Sequence, residues 1–397
     1  MNDLKEEVGN IVVIPCYKEP LIIDTLKSLD ENLPTLKKVK VFIVINHSEE
    51  ASEVVKNFNI ETFEKVSKWI KQKKNKQIEY SPIKAFDLPK KDAGVGLARK
   101  IGMDKAFSFF ENQNTKGIIT CFDADAVCSQ NYLKAIESHF YKNVNSPACS
   151  IHFEHPIEGN DYESEIYTAI INYELHLRYY KHALTYIQYP FNFYTIGSSM
   201  AVRSDIYKKI GGMNKRKAGE DFYFLQKIMP LGNFTSLKEA TVFPSPRISD
   251  RVPFGTGKAV GEIMKDFKEE YFTYHFDCFI AVKQFIAFIP DLYDCDVNDI
   301  YQKLPAAIVD FLKSISFNKE LIKIKRQSKS QTHFLNRFYY WFTPFRLLKT
   351  IHFLRDNYYG NEEIDEASKK LFKAMGYPLA DASKKEKLKF LRNIDKR

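Results

Sequence analysis

Two patterns of apolar and polar positions alternate along the first two thirds of the chain. Short continuous runs of apolar residues indicate buried strands, and longer stretches with apolar residues at helical spacing separate them. The predicted strands are residues 10–14, 41–45, 78–80 and 118–122, and the predicted helices are residues 21–29, 52–71, 96–110 and 130–141. Strands that alternate with helices form βαβ units, and uninterrupted apolar strands belong to sheets covered on both faces. The pattern therefore predicts an α/β fold with a mostly parallel central sheet flanked by helices.

The pattern changes after about residue 267. Aromatic residues and lysines dominate from there on, glycine nearly disappears, and helical periodicity continues toward the C-terminus. We therefore predict an α/β domain over residues 1–266 and a helical C-terminal extension over residues 267–397. The longest apolar run, residues 278–290, is shorter than a bilayer requires and contains Lys283 and Gln284.

The composition predicts a localisation for the protein but is compatible with several kinds of partner. The 397 residues carry a net charge of +9, which suits an acidic partner such as a nucleotide, an anionic glycan or a membrane surface. The six cysteines show no paired metal-binding spacing, so we expect reduced thiols in a cytoplasmic protein. The charged N-terminus lacks the apolar core of a signal peptide, which agrees with that localisation.

Two carboxylates, Asp123 and Asp125, directly follow the predicted strand at residues 118–122. Alternate residues of an extended strand point to the same side, so we expect both side chains to face one site. Carboxylates at the carboxyl end of a strand suit Mn²⁺ or Mg²⁺ with positions left open for phosphate oxygens. The alternative is an Asp pair that caps the next helix.

Two segments near the other predicted strands carry groups that suit a phosphorylated nucleoside. The loop after the first strand contains Pro15, Tyr17 and Glu19, and its backbone could bind a base. Gly96 precedes Arg99 at the start of a predicted helix, where anions bind well and where an arginine can pair with phosphate or carboxylate. A plain turn explains the glycines equally well.

Two later segments suggest catalytic and phosphate-binding groups. Glu220 and Asp221 follow a glycine at a helix start, where acidic residues serve either as caps or as a general base for a sugar hydroxyl. The loop at residues 246–258 includes Arg247 and Arg251 and could fold over a departing pyrophosphate. A surface loop would not require this composition.

Together these segments resemble the family 2 glycosyltransferases with the GT-A fold. The matching pieces, in the family's order over roughly residues 10–260, are Pro15-Cys16-Tyr17-Lys18-Glu19, Gly94 to Arg99, Asp123-Ala124-Asp125, and Gly211-Gly212 followed by Glu220-Asp221. The resemblance implies an inverting, metal-dependent transfer of one sugar from a nucleotide-diphospho-sugar, with UDP-sugars favoured. The acceptor would be a glycan or a lipid-linked molecule, as in polysaccharide biosynthesis, and nucleic acid is not expected as a partner.

The resemblance also assigns roles to residues. Asp125 would bind Mn²⁺ or Mg²⁺, and Asp123 would contact the ribose or the metal. Asp221 would be the catalytic base, with Glu220 helping on the acceptor side. The residues expected to bind the donor are Pro15, Tyr17, Glu19, Asn46, Gly96, Arg99, Asp123, Arg247 and Arg251.

The chain departs from the family pattern in two places. Asn46 stands after the second strand, where family members usually carry an acidic residue that contacts the base or ribose. The Gln-x-x-Arg-Trp signature of processive synthases is also absent, which favours one sugar per event. Two other classes stay open: a sugar-nucleotide nucleotidyltransferase and a catalytically silent binding scaffold.

The C-terminal extension has two interpretations. Its aromatic segments, residues 271–276 and 338–342, suit either core packing against the α/β domain or peripheral contact with a membrane. Its basic tail, residues 383–397, suits either a solvated surface helix or the same membrane contact.

Overall fold

The computed structural model describes residues 7–73, 75–249, 255–266 and 270–397. The chain forms two compact units. The first contains Met1–Ile170, Tyr194–Lys265 and Arg392–Arg397, and the second contains Ile171–Phe193 and Asp266–Leu391. The predicted domain boundary at residue 266 stays a prediction.

The described residues of the first unit form an eight-stranded sheet in the order β3-β2-β1-β4-β7-β6-β8-β5. Its strands are β1 (Val8–Cys16), β2 (Lys38–Ser48), β3 (Ile78–Leu88), β4 (Ile118–Cys121), β5 (Val127–Cys128), β6 (Ala148–Phe153), β7 (Met200–Arg203) and β8 (Thr235–Phe243). Four neighbouring pairs are parallel and three are antiparallel. The prediction of a mostly parallel central sheet is confirmed.

The helices that begin in this unit are α1 (Ile22–Asp30), α2 (Glu53–Gln72), α3 (Val95–Asn112), α4 (Tyr132–Lys142), α5 (Ser164–Tyr186), α6 (Ser204–Lys209), α7 (Glu220–Ile228) and α8 (Thr256–Asp266). Helices α2 and α3 pack on the parallel part of the sheet, against β2 and β1. Residues Ile11 to Ile14 of β1 are fully buried between these layers. Each such aliphatic side chain contributes about 2 kcal/mol of hydrophobic stabilisation.

Two prolines lie inside strands that the sequence predicted to end before them. Pro15 continues β1 and pairs with β2, while β4, on the other side, pairs with β1 only as far as Val13. The backbone nitrogen of Pro15 faces the β4 side of β1, as that of Val13 does. Because β4 does not pair with β1 beyond Val13, the missing N–H of Pro15 removes no hydrogen bond between strands. Pro82 is tolerated in β3 because β3 is the edge strand of the sheet. The strand predicted as residues 78–80 therefore extends to Leu88.

The second unit is mainly helical, as predicted. Its later helices are α9 (Phe276–Phe288), α10 (Val297–Tyr301), α11 (Ala306–Ser314), α12 (Phe317–Arg326), α13 (Gln331–Trp341), α14 (Pro344–Leu354), α15 (Ile364–Met375) and α16 (Lys384–Lys396). A short antiparallel pair, β9 (Phe272–Tyr274) and β10 (Asn361–Glu363), was not predicted.

Aromatic side chains form much of the core of this second unit. Phe338 and Phe342 are fully buried and make ring contacts with Phe285. Phe338 and Phe342 of the aromatic segment at residues 338–342 therefore serve core packing, while Tyr340 is exposed. Within the described ranges, no helix combines the length and the apolar character that crossing a bilayer requires.

Candidate active site

The predicted donor-binding segments converge at one edge of the sheet. Strands β2, β1 and β4 are parallel neighbours, so their carboxyl ends meet at the same edge. Asn46 lies near the end of β2, Tyr17 follows β1, and Asp123 follows β4. This is the position at which open α/β sheets bind their ligands.

Asp123 and Asp125 lie in a turn beyond β4. The strand ends at Cys121, and the amide of Ala126 donates to the carbonyl of Asp123 across 3.2 Å. The two residues therefore do not belong to an extended strand, and the expectation that both side chains face one site stays a prediction. The hydroxyl of Thr25 donates to the carbonyl of Ala124 across 2.8 Å, which fixes this turn against α1.

Arg99 joins the turn after β4 to the start of α7. It lies one turn into α3 and is only 2% exposed. Its Nη2 is 2.9 Å from Asp123 Oδ1, and its Nε is 3.2 Å from Glu220 Oε1. Its Nη1 also donates to the carbonyl of Gly197. One buried guanidinium thus connects two of the segments singled out in the sequence.

The neighbouring carboxylates keep the guanidinium of Arg99 charged. Burial alone would lower the pKa of its guanidinium, but Asp123 and Glu220 together raise that pKa above its usual value. A cation buried in this way is stable only while its carboxylate partners are present.

Glu220 and Asp221 open α7 after Gly219, whose φ of +67° suits glycine. Glu220 is buried, and this burial raises its pKa to about 7 against the opposing charge of Arg99. Burial also raises the pKa of Asp221, which is only partly buried and accepts a 2.7 Å hydrogen bond from the amide of Phe222. Both carboxyl groups are therefore better proton acceptors than ordinary ones.

Arg247 forms ion pairs with two carboxylates of the same site. Its Nη2 is 3.1 Å from Asp125 Oδ2, and it also pairs with Glu19. The side chain of Glu19 is fully buried, and its other oxygen accepts a 2.9 Å hydrogen bond from the amide of Leu21 at the start of α1. Arg251, the other predicted basic residue of this loop, lies outside the described residues.

Sequence reasoning missed the pairing of Arg247 with Glu19. The two residues are 228 positions apart, and their opposite charges were the only signal available. It also missed the contribution of Gly197, whose carbonyl accepts from Arg99.

Other predicted donor-binding residues have packing roles that the structure makes visible. A Cβ on Gly96 would come within 2.0 Å of the carbonyl oxygen of Arg216, so glycine permits that close approach. Asn46 is buried, and its carbonyl accepts a 3.0 Å hydrogen bond from the side chain of Asn59. Pro15 belongs to β1, and Tyr17 is partly buried just after it. Their contacts with a donor stay predictions.

Two carboxylates of the described residues, Asp123 and Asp125, are candidates to hold a divalent ion at this site. Among the residues that the structure describes, no three Asp, Glu, His or Cys side chains form a group that could hold a metal. Asp123 and Asp125 nevertheless have side chains that are 37% and 22% exposed. Mg²⁺-type sites commonly use one or two carboxylates together with substrate phosphates and water. The two aspartates fit that arrangement.

The family model for glycosyl transferase family 2 matches residues 11–211, just over half of the chain. The chain belongs to glycosyl transferase family 2 and is therefore a glycosyltransferase. The matched range includes Glu19, Arg99, Asp123 and Asp125 and ends at Gly211, before α7. The prediction of a GT-A type α/β fold is confirmed.

Two solved structures resemble the chain at low sequence identity. S. aureus TarS, residues 1–349 in complex with UDP-GlcNAc, is 15% identical, with 98% of this chain and 90% of that chain covered and a TM-score of 0.40. The mannosyltransferase PcManGT from Pyrobaculum calidifontis, in complex with GDP-Man and Mn²⁺, is 13% identical, with 84% and 86% covered and a TM-score of 0.39. Comparison with curated proteins gave no match.

Proposed function

We propose that the protein is an inverting glycosyltransferase that moves one sugar from a nucleotide-diphospho-sugar to a glycan or lipid-linked acceptor. A UDP-sugar is the favoured donor, and Mn²⁺ or Mg²⁺ is the favoured ion. Membership of glycosyl transferase family 2 supports glycosyl transfer and argues against the nucleotidyltransferase and scaffold alternatives.

The observation that carries this proposal is the double pairing of Arg99. Through its contacts with Asp123 and Glu220, the carboxylate turn after β4 and the acidic start of α7 share one buried cation. A transferase needs this proximity, because the diphosphate and the attacking hydroxyl lie on opposite sides of the same anomeric carbon. Asp123 can then orient the donor while Asp221 approaches the acceptor.

The choice of base rests on exposure and pairing. Glu220 is buried and forms an ion pair with Arg99, so its role is to position the start of α7. Asp221 is partly exposed and has a raised pKa, so it can receive a proton from an acceptor hydroxyl. The acceptor oxygen then bonds to the anomeric carbon as the bond from that carbon to the β-phosphate oxygen breaks. A single displacement inverts the centre.

Arg247 is the protein's own cation for the departing diphosphate. It lies beside Asp125, the predicted metal ligand, so a phosphate bound near Asp125 would come within reach of its guanidinium. The residues that would hold the ion are Asp125 and Asp123, and the ion would neutralise charge on the departing phosphate.

Nucleotide release with a panel of donors tests the proposal. The protein is incubated with UDP-, GDP- and dTDP-sugars, with Mn²⁺, with Mg²⁺ or with EDTA, and the free nucleoside diphosphate is measured. We expect one nucleotide class to be released in the presence of a divalent ion, at a rate that Asp221→Asn reduces. Absence of release from every donor, or full release by Asp221→Asn, would contradict the proposal.

A further inference from the structure

The outward side of α12 is basic and has an exposed apolar residue at its centre. Lys319, Ile322, Lys323 and Arg326 follow the spacing that places side chains on one helix face, and all four are exposed. Residues on the opposite face, Phe317, Leu321 and Ile324, are buried. The helix is therefore held by its apolar face and presents the other to its surroundings.

Helix α13 continues this surface. Its residues His333, Asn336, Arg337 and Tyr340 have the same spacing and are exposed, while Phe334 and Phe338 are buried. Arg337 donates across 3.0 Å to the side chain of Gln327, which lies in the connection between the two helices. This contact places Arg337 beside the C-terminal end of α12.

The charge of this region is strongly one-sided. Residues 313–337 contain the acidic residue Glu320 and seven basic residues, which are Lys313, Lys319, Lys323, Lys325, Arg326, Lys329 and Arg337. Glu320 pairs with Lys323 across 2.7 Å, and Lys325 donates to the carbonyl of Cys295. Lys319, Arg326 and Lys329 are exposed and add three charges to the surface.

We propose that this surface, called the basic face and formed by the outward residues of α12 and α13 together with Lys329, docks on an anionic phospholipid bilayer. Lysine and arginine are attracted to anionic headgroups. Ile322 and Tyr340 are 49% and 55% exposed. By helical spacing Ile322 neighbours Lys319 and Arg326 on α12, and Tyr340 follows Arg337 by one turn on α13. Both apolar side chains can therefore enter the boundary between headgroups and acyl chains. An anionic polymer would use the charges but would gain little from the apolar side chains.

The basic C-terminal tail is a weaker candidate for this contact. Lys387 and Lys384 of α16 pair with Asp365 and Glu363 across 2.7 and 2.9 Å, and Leu388 is fully buried. Deleting residues 383–397 would therefore disturb packing as well as remove charge. The basic face permits a cleaner experiment.

Vesicle flotation at low salt tests the proposal. The full chain is mixed with vesicles of phosphatidylcholine alone or of phosphatidylcholine with phosphatidylglycerol. The face variant carries Lys319→Glu, Arg326→Glu and Lys329→Glu. The matched control carries Lys65→Glu, Lys68→Glu and Lys71→Glu, three exposed lysines of α2, so the net charge changes equally.

We expect the wild type and the control to float with the phosphatidylglycerol vesicles only, and less so as salt increases. The face variant should bind at least about tenfold more weakly. Ile322→Ser should also weaken flotation but leave retention on immobilised polyphosphate unchanged, and circular dichroism should show that all variants are folded.

Three outcomes would overturn the proposal. The first is absence of wild-type flotation at low salt, and the second is an equal loss in the face variant and the control. The third is retention on polyphosphate without binding to vesicles, which would assign the basic face to an anionic polymer.

Discussion

Arg99 Nη2 lies 2.9 Å from Asp123 Oδ1, and the same guanidinium contacts Glu220 at 3.2 Å. This relationship makes a strand-end turn and a helix start depend on one buried cation. Its removal should therefore affect both stability and turnover.

Arg99→Met should leave Glu220 buried without its cation. We expect a loss of about 3–5 kcal/mol in the free energy of unfolding, measured by urea denaturation. Lys100→Met is the control on the same helix, because Lys100 makes a more exposed i,i+4 pair with Asp104. That change should stay within about 0.5 kcal/mol. Equal effects of the two substitutions would mean that the pairing of Arg99 is not structurally important.

Asp221→Asn keeps the shape of the side chain and removes the proton acceptor. We expect kcat to fall by a factor on the order of 10² or more, with donor affinity nearly unchanged in calorimetry. Glu220→Gln, its neighbour on α7, should instead lower thermal stability, because Arg99 loses a charged partner. If Asp221→Asn weakened donor binding as much as turnover, Asp221 would be a binding residue.

The raised pKa values of Glu220 and Asp221 predict the acid side of the pH profile. A base must be deprotonated to act, so activity should be lost as the pH falls through its raised pKa. We expect the acid limb of kcat/KM to lie above the ordinary carboxyl range of about 4, because burial raises the pKa of both carboxyl groups and the two titrate as a pair. An acid limb confined to pH 4 or below would mean that neither raised carboxyl group controls turnover.

Arg247 and a divalent ion should compete for Asp125. Arg247→Gln frees that carboxylate, so we expect tighter Mn²⁺ binding without donor, measured by electron paramagnetic resonance, together with slower turnover. Asp125→Asn is the matched change on the other partner and should weaken Mn²⁺ binding. Unchanged Mn²⁺ affinity in Arg247→Gln would mean that Arg247 does not compete with the ion for Asp125.

The alternation of strands and helices could be predicted because it depends on local periodicity. Helix α2, predicted as residues 52–71, is found at Glu53–Gln72. The length of β3 was underestimated. A proline such as Pro82 usually ends a strand unless the strand lies at the edge of a sheet, and the sequence does not show that β3 is an edge strand.

The residues of the candidate site could be predicted only where neighbours along the chain form a motif. Asp123 with Asp125 and Glu220 with Asp221 could be found in this way. The pairings of Arg99 with Glu220 and of Arg247 with Glu19 depend on how distant segments come together, which no local spacing encodes. The turn that carries Asp123 and Asp125 was not predicted for a related reason, since β4 ends at Cys121 and the turn is held by a contact between Ala124 and Thr25 of α1.

The anomeric configuration of the product tests the central claim most directly. Proton NMR of a reaction started with an α-linked nucleotide sugar follows the new glycosidic bond as it forms. The account predicts a β-linked product from the wild type and its loss in Asp221→Asn, because one displacement assisted by Asp221 inverts the centre. An α-linked product, or undiminished β-linked product from Asp221→Asn, would contradict it.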